Sequence, residues 1–354
     1  MLARCMTDSP ETRARWATEL AARARAYWTP ARTEELARGK ALRLPPAEAA
    51  PLLRALGLLR QDASMPPPQV RKYFQINHMV ALLEPALREL RAGHAAIRLL
   101  DAGCGRSYLT LLLAWCAKHV WHHRLEVLGV DRNPAVIEEG RRRTALAELD
   151  DVVRFEAGAL DELDVRAAWR RAFGADASAS VASDGVGGAR DGTGSARDSV
   201  GSALDGAAVH GVIALHACDT ATCDALALGV ALEAELIAVA PCCQAELARA
   251  WTALDEGGAA GAFAPIWGAP HLRRETAAHV TDAMRTLLVR AAGYEVRAIE
   301  LVPSEHTRKN TLIRAIRRAD GDPAARTAYE ALRDATGGAG IALAARLGDR
   351  GLSS

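Results

Sequence analysis

From Ile97 onward the chain alternates short apolar runs with stretches of helical periodicity. IRLLDA (97–102), LEVLGVD (125–131), VVRFEA (152–157), VHGVIALHA (209–217) and ELIAVAP (235–241) read as strands, and YEVRAIELV (294–302) and TLIRAIR (311–317) close the series. Apolar runs separated by helical segments predict an α/β fold, a seven-stranded, mainly parallel sheet with helices on both faces. In such sheets ligands bind beyond the carboxyl ends of the strands, so the residues that follow each strand carry the chemistry.

Upstream of the sheet the pattern is helical. ETRARWATELAARARAYW (Glu11 to Trp28) is rich in helix formers, with Asp8 or Ser9 as N-cap, and a second helix is predicted at PAEAAPLLRALGLL, interrupted by Pro51. The Pro66-Pro67-Pro68 run is expected to end this unit. In the next segment, VRKYFQINHMVALLEPALREL, Ile76, Val80, Leu83, Leu87 and Leu90 recur at helical spacing. The predicted division is an N-terminal helical region (1–69), an α/β domain (70–318), and a C-terminal helix with a tail that frays (319–354). Between Ala175 and Ala208, 27 of 34 residues are Ala, Gly, Ser or Asp, too little apolar content to offset ordering entropy, so 175–208 is expected to be a disordered insertion.

Composition narrows the class. The 354 residues are half hydrophobic, with 44 Lys+Arg against 43 Asp+Glu, which excludes wholesale disorder. No apolar run is long enough for a membrane span, and MLARCMTDSP lacks the basic start and apolar core of a secretory signal, so a cytoplasmic location is expected. The seven cysteines then read as free thiols. The charge is uneven: residues 1–95 hold 15 Lys+Arg and 9 Asp+Glu. A basic front end can meet nucleic acid, and equally it can be a solvated helix face.

The strongest chemical signal is LLDAGCGRSYL, a strand that ends at Asp101 in a glycine turn opening a helix. Gly103 and Gly105 allow a tight turn and close approach of a ligand to backbone N–H groups. Asp131 ends the next strand, where a carboxylate can accept hydrogen bonds from both ribose hydroxyls of an adenosine ligand. A dinucleotide site wants a small residue where Tyr108 stands, which argues against NAD. Asp101, just before the glycines, suits a ligand with an ammonium group better than one with phosphates. Both features fit S-adenosylmethionine.

The D-x-G-x-G turn, with an acidic residue ending strand two, resembles the class I S-adenosylmethionine-dependent methyltransferases, and the likeness implies a Rossmann-like core over about residues 70–318. LHACDTATCDAL (215–226) and VAPCCQAEL (239–247) resemble a subgroup that includes tRNA 2′-O-methyltransferases, methyltransferase-like proteins and a GST C-terminal domain-containing protein. The resemblance implies that Asp101, Gly103 and Gly105 line the methionine half of the cofactor and that Asp131 holds its ribose. Gly158 and Ala159 would border the adenine, with Ala159 where relatives often carry an acid and Asp161 two positions on. Ser107 replaces the third glycine of the family turn.

The residues after strand four face the transferred methyl in this fold, which makes His216 and Asp219 the candidate catalytic residues, with Cys218 and Thr220 beside them. The alternative is that His216 and Thr220 cap the following helix. Cys218, Cys242, Cys243 and His216 could converge on zinc, but adjacent cysteines point apart on an extended chain and no C-x-x-C is present, so no metal is expected. His306, Arg308 and Lys309 could hold an anionic substrate or be solvated turn residues. In the leading helix, Arg71, Lys72, Gln75 and His78 could cover the cofactor mouth, with Ile76 and Val80 as core.

These readings predict an S-adenosylmethionine-dependent methyltransferase with RNA as the favoured acceptor. A small molecule or protein acceptor is the runner-up, and a cofactor-binding scaffold or a dehydrogenase would be a different answer. Replacing Ala175–Ala208 by a short Gly-Ser linker is expected to leave cofactor affinity and melting temperature nearly unchanged, because shortening a flexible loop lowers closure entropy. A large drop in melting temperature would show the segment to be structural.

Overall fold

A computed structural model of the chain describes residues 9–174, 208–215, 219–241, 244–301, 311–318 and 321–348. The 175–207 stretch of the expected insertion lies outside them. Four helices come first: α1 (Pro10–Tyr27), α2 (Pro30–Ala37), α3 (Ala50–Ala55) and α4 (Pro67–Gly93). Then follow β1 (Ala96–Ala102), α5 (Tyr108–Cys116) running into a π-turn over Ala117–Trp121, β2 (Arg124–Asp131), α6 (Pro134–Leu146), β3 (Val153–Ala157) and α7 (Val165–Phe173). The second half holds β4 (Gly211–Leu215), α8 (Thr220–Ala231), β5 (Leu236–Ala240), α9 (Glu246–Glu256), α10 (Ala264–Trp267) and α11 (Pro270–Ala291). β6 (Tyr294–Glu300), β7 (Thr311–Arg317), α12 (Pro323–Ala335) and α13 (Ala342–Leu347) complete it.

The seven strands form one sheet in the order β3-β2-β1-β4-β5-β7-β6, parallel except where β7 pairs antiparallel with both β5 and β6. β4 (GVIAL) and β5 (LIAVA) are buried at every position, as strands covered on both faces must be. Chain order reverses between β1 and β4, which pair in parallel from Leu99 with Gly211 to Asp101 with Ile213. This switch point is where an open sheet of this kind leaves a crevice beyond its strand ends.

One face is covered by α1, α3, α4 and α5, whose buried Leu20, Leu53, Leu83 and Leu112 join Leu99 and Val127 of the sheet in one cluster. The helical N-terminal region therefore shares its core with the sheet. Its seam with α4 is polar and buried: Asn77 Oδ1 accepts from the N–H groups of Arg43 (2.7 Å) and Leu44 (3.0 Å), and Tyr73 donates its hydroxyl to the Leu44 carbonyl (2.7 Å). Removed from water, the Tyr73 phenol is pushed well above its usual range. The other face is covered by α7, α8, α9 and α11 to α13.

The Pro66-Pro67-Pro68 run lies between α3 and α4, with Pro66 the N-cap of α4 and Pro67 its first residue, where the missing N–H costs nothing. Two sequence expectations change. Residues Pro30–Ala37, unpredicted, form α2 behind a Thr29 cap, whereas the helix predicted after Pro46 shrinks to Ala50–Ala55. The segment beyond α12 does not fray as far as residue 348: Ile341, Leu343 and Leu347 are buried in the second cluster, and Arg346 pairs with Asp224 of α8 at 2.5 Å. Leu343→Ala is therefore expected to cost about 2–5 kcal/mol, read as a lowered melting temperature. An unchanged melting curve would detach α13 from the core.

Candidate active site

The turn after β1 is held by the end of β2. The Val130 carbonyl accepts from both Gly103 N–H and Cys104 N–H at 2.9 Å, and Asp131 Oδ2 accepts from Gly105 N–H at 3.1 Å. Asp131 Oδ1 accepts from Asn133 N–H at 2.9 Å, which fixes the carboxylate at the turn. Gly103 (φ 76°) and Gly105 (φ 50°) supply the left-handed conformations that this path requires. A Cβ on Gly103 or Gly158 would meet nothing within 4 Å, so the space beside both is open. Ser107 is also left-handed (φ 56°) and buried, in the slot of the family's third glycine. Its hydroxyl stands 3.1 Å from where a Cβ on Gly140 would lie, so the two small residues let the loop settle on α6.

Asp101 is 2% exposed and accepts a hydrogen bond from Thr110 of α5. Burial lifts its carboxyl to about 7 and the nearby Asp131 charge adds to the rise, while the Thr110 bond opposes it. A cation beside Asp101 would relieve this cost. Gly158 N–H donates to the Asp131 carbonyl (3.0 Å), which carries the β2–β3 pairing one residue further and brings Gly158 and Ala159 alongside Asp131. Asp161 instead approaches Asp224 of α8, whose carboxyl is raised first by burial and then by the Asp161 charge.

The far wall of the turn is Tyr108. Lys72 of α4 donates to its hydroxyl (2.7 Å) and lies 3.9 Å from its ring centroid, and the hydroxyl donates to the Leu56 carbonyl (3.3 Å). Arg143 holds the Arg106 carbonyl at 2.7 Å. On the leading helix Lys72 thus bonds the residue that follows the glycine turn, while Ile76 and Val80 are core. Sequence reading missed Thr110 and Arg143. Thr110 sits three residues past Ser107, on the face of α5 that returns to Asp101 after a helical turn.

Across the switch point, His216 and Cys218 lie outside the described residues, as do Cys242, Cys243, His306, Arg308 and Lys309. Among the described residues no group of three or more His, Cys, Asp or Glu could hold a metal. The described thiols Cys104, Cys116 and Cys223 are buried, and burial raises each, Cys116 to about 12.

Asp219, the other candidate catalytic residue, stands ahead of α8 with its carboxylate turned to α9. Its backbone is strained (φ 50°, ψ −114°) ahead of α8, but its side chain makes no bond to α8. The carboxylate accepts from Ala245 N–H (3.0 Å) and Glu246 N–H (3.1 Å) at the start of α9 and pairs with Arg249 at 2.8 Å. Burial would raise this carboxyl, but Arg249 and the two N–H donors outweigh it and bring it below its usual value. So engaged, it is a weak base. Asp219 thus caps the start of α9.

The raised Asp101 carboxyl has a pH signature. Below about pH 4 it is protonated in folded and unfolded chains alike; as pH climbs towards about 7 the unfolded chain ionises and the folded one resists, so stability is lost across that window. Asp101→Asn removes this titration. Its melting temperature relative to the wild type is expected to rise between about pH 4 and pH 7 and then level off. A constant difference would mean that Asp101 is ionised in the fold at ordinary cost.

Residues 71–250 match the family description "methyltransferase domain", just over half of the chain. No curated protein sequence matches. Similar solved structures include a cofactor-bound protein from MTB (16% identity, 82% of this chain and 99% of that one, TM-score 0.39). Another is a Podospora anserina methyltransferase bound to SAH (11%, 85% and 96%, TM-score 0.38). A third is an uncharacterized Listeria monocytogenes protein (8%, 66% and 68%, TM-score 0.32). The matched segment runs from α4 through the glycine turn, Asp131 and the ends of β4 and β5, so the chain belongs to the methyltransferase-domain family, as an S-adenosylmethionine-dependent enzyme.

Proposed function

We propose that the chain methylates RNA and that Asp101, Gly103, Gly105, Asp131, Gly158 and Ala159 hold its methyl donor. The observation that carries the cofactor assignment is the Asp131 carboxylate fixed against the Gly105 N–H beside open space at Gly103 and Gly158. Asp131 keeps lone pairs free for ribose hydroxyls, and Asp101 offers a buried charge to an ammonium group. S-adenosylmethionine supplies an already activated sulfonium methyl when bound. What remains for the protein is to align an acceptor with that methyl and keep water from between them.

The RNA reading draws on the subgroup blocks at 215–226 and 239–247 and on the basic first 95 residues. A cleft of about 640 Å³ between α1, α6, β3 and α7 adds to it, lined by Arg13, Arg141, Arg142, Arg154 and Arg171. Arg171 pairs with Glu156 (2.5 Å) and Arg141 with Glu138 (3.8 Å), but with both arginines more than half exposed these pairs can yield to phosphates at little cost. Among the described residues no helix is long and apolar enough to cross a membrane.

Labelled S-adenosylmethionine incubated with fractionated cell RNA, protein and small metabolites tests the acceptor. Label is expected in RNA; label in protein or metabolites would overturn the RNA reading, and bound cofactor with no transfer would make the chain a scaffold. Asp131→Ala is expected to weaken S-adenosylmethionine binding about tenfold or more by calorimetry, since charge-assisted bonds contribute about 1.5–3 kcal/mol each. Asp131→Asn, which can still accept from Gly105 N–H, should lose less. Wild-type affinity in Asp131→Ala would remove Asp131 from the cofactor site.

A further inference from the structure

We infer that a closed hydrogen-bonded ring at the carboxyl ends of β4 and β5, with Arg285 of α11 at its hub, positions the acceptor side of the site. This rests on the methyltransferase reading of those strand ends. Arg285 is 0% exposed. Its Nη2 donates to the Asp219 carbonyl (2.8 Å), after β4, and its Nη1 to Asp282 Oδ1 (2.9 Å). Asp282 Oδ2 accepts from Gln244 Nε2 (2.9 Å), after β5. Gln244 precedes Ala245, whose N–H donates to Asp219 Oδ1 (3.0 Å) and closes the circuit.

Three features mark this ring as a positioning device. It crosslinks the chain at Asp219 to the chain at Gln244 and Ala245, beyond the last described β4–β5 pair, Leu215 with Ala240. It clamps Asp219 in a strained backbone conformation, which surroundings must over-determine to persist. It also leaves Arg285 Nε and Gln244 Oε1 buried with no partner among the described residues. A buried ion pair is weak support for stability, and unpaired buried atoms subtract from it, so an arrangement serving stability alone would have neither. What the planar guanidinium fork supplies is fixed geometry, and in-line methyl transfer is sensitive to about 1 Å of misplacement.

The test uses the full chain with Arg285→Met, Arg285→Lys and Gln244→Ala, and Arg290→Ala on the same helix as control. Gln244→Ala leaves the buried Arg285–Asp282 pair intact, so it reports even if Arg285→Met does not fold. Amide hydrogen exchange is read over 219–223 and 244–249 together, S-adenosylmethionine affinity by calorimetry, and turnover on the cell fraction that accepts label. Arg285→Met and Gln244→Ala are expected to speed exchange in both segments by about tenfold, leaving β1–β3 unchanged. Turnover should fall by up to about a hundredfold with cofactor affinity within about twofold, and Arg285→Lys should recover part of it. Exchange that rises in one segment only, or equally across β1–β3, would overturn the ring, as would turnover that falls only in step with cofactor affinity. Failure of the function reading shows separately, as no label in any fraction, because exchange and cofactor affinity need no acceptor.

Discussion

One constraint organises this end of the sheet: the turn after β1 must bend far enough for three successive N–H groups, those of Gly103, Cys104 and Gly105, to reach the end of β2. That path needs a left-handed residue on each side of Cys104, and the two glycines provide them. The same constraint explains Gly129, because a side chain there would strike the Phe155 ring at 2.7 Å and Cys104 Cβ at 3.3 Å. With β2 flat beneath the turn, α5 starts where Thr110 can hold Asp101 and where Tyr108 can meet Lys72 and Leu56. The N-terminal helices are thereby bonded to the residue that follows the glycine turn and are more than a cover for one face of the sheet.

The ends of β4 and β5 are built on the opposite logic. There the chain places a carboxylate, a guanidinium and an amide in a nearly dry layer and bonds them to one another across α11 and the two strand ends. The two sides differ in what they spend. One uses glycine entropy to shape a backbone cradle, and the other uses desolvated charge to hold two loops at a set distance.

Much of this was legible in the sequence because the signals are local. β1, β2 and β7 fall within one residue of the runs that predict them, β1 and β2 because a strand covered on both faces is largely apolar. Asp131 was legible as the last residue of such a run. α2 was not, because Pro30 reads as a breaker until Thr29 is seen to cap it. The role of Asp219 was not legible either, because its partners Ala245, Glu246 and Arg249 lie beyond the next strand. Asp282 and Arg285, three apart on a helix, look in sequence like a solvated ion pair, and only packing against α8 and α9 shows that they are buried.

The antiparallel insertion of β7 bears on how the chain reaches this state. β5 is five consecutive apolar residues, and on one side it waits for a partner that follows only after α9, α10, α11 and β6. Until β7 docks, LIAVA presents a bare edge free of charge and proline, the kind of template on which chains join one another instead of folding. Pairing so distant in sequence is slow to form, so the hazard lasts at least until synthesis has passed Arg317. β7 brings Arg314 and Arg317 with it, charges that discourage foreign strands from the same place. Fragments that stop short of Thr311 should thus be the ones that precipitate, whatever the stability of the finished enzyme.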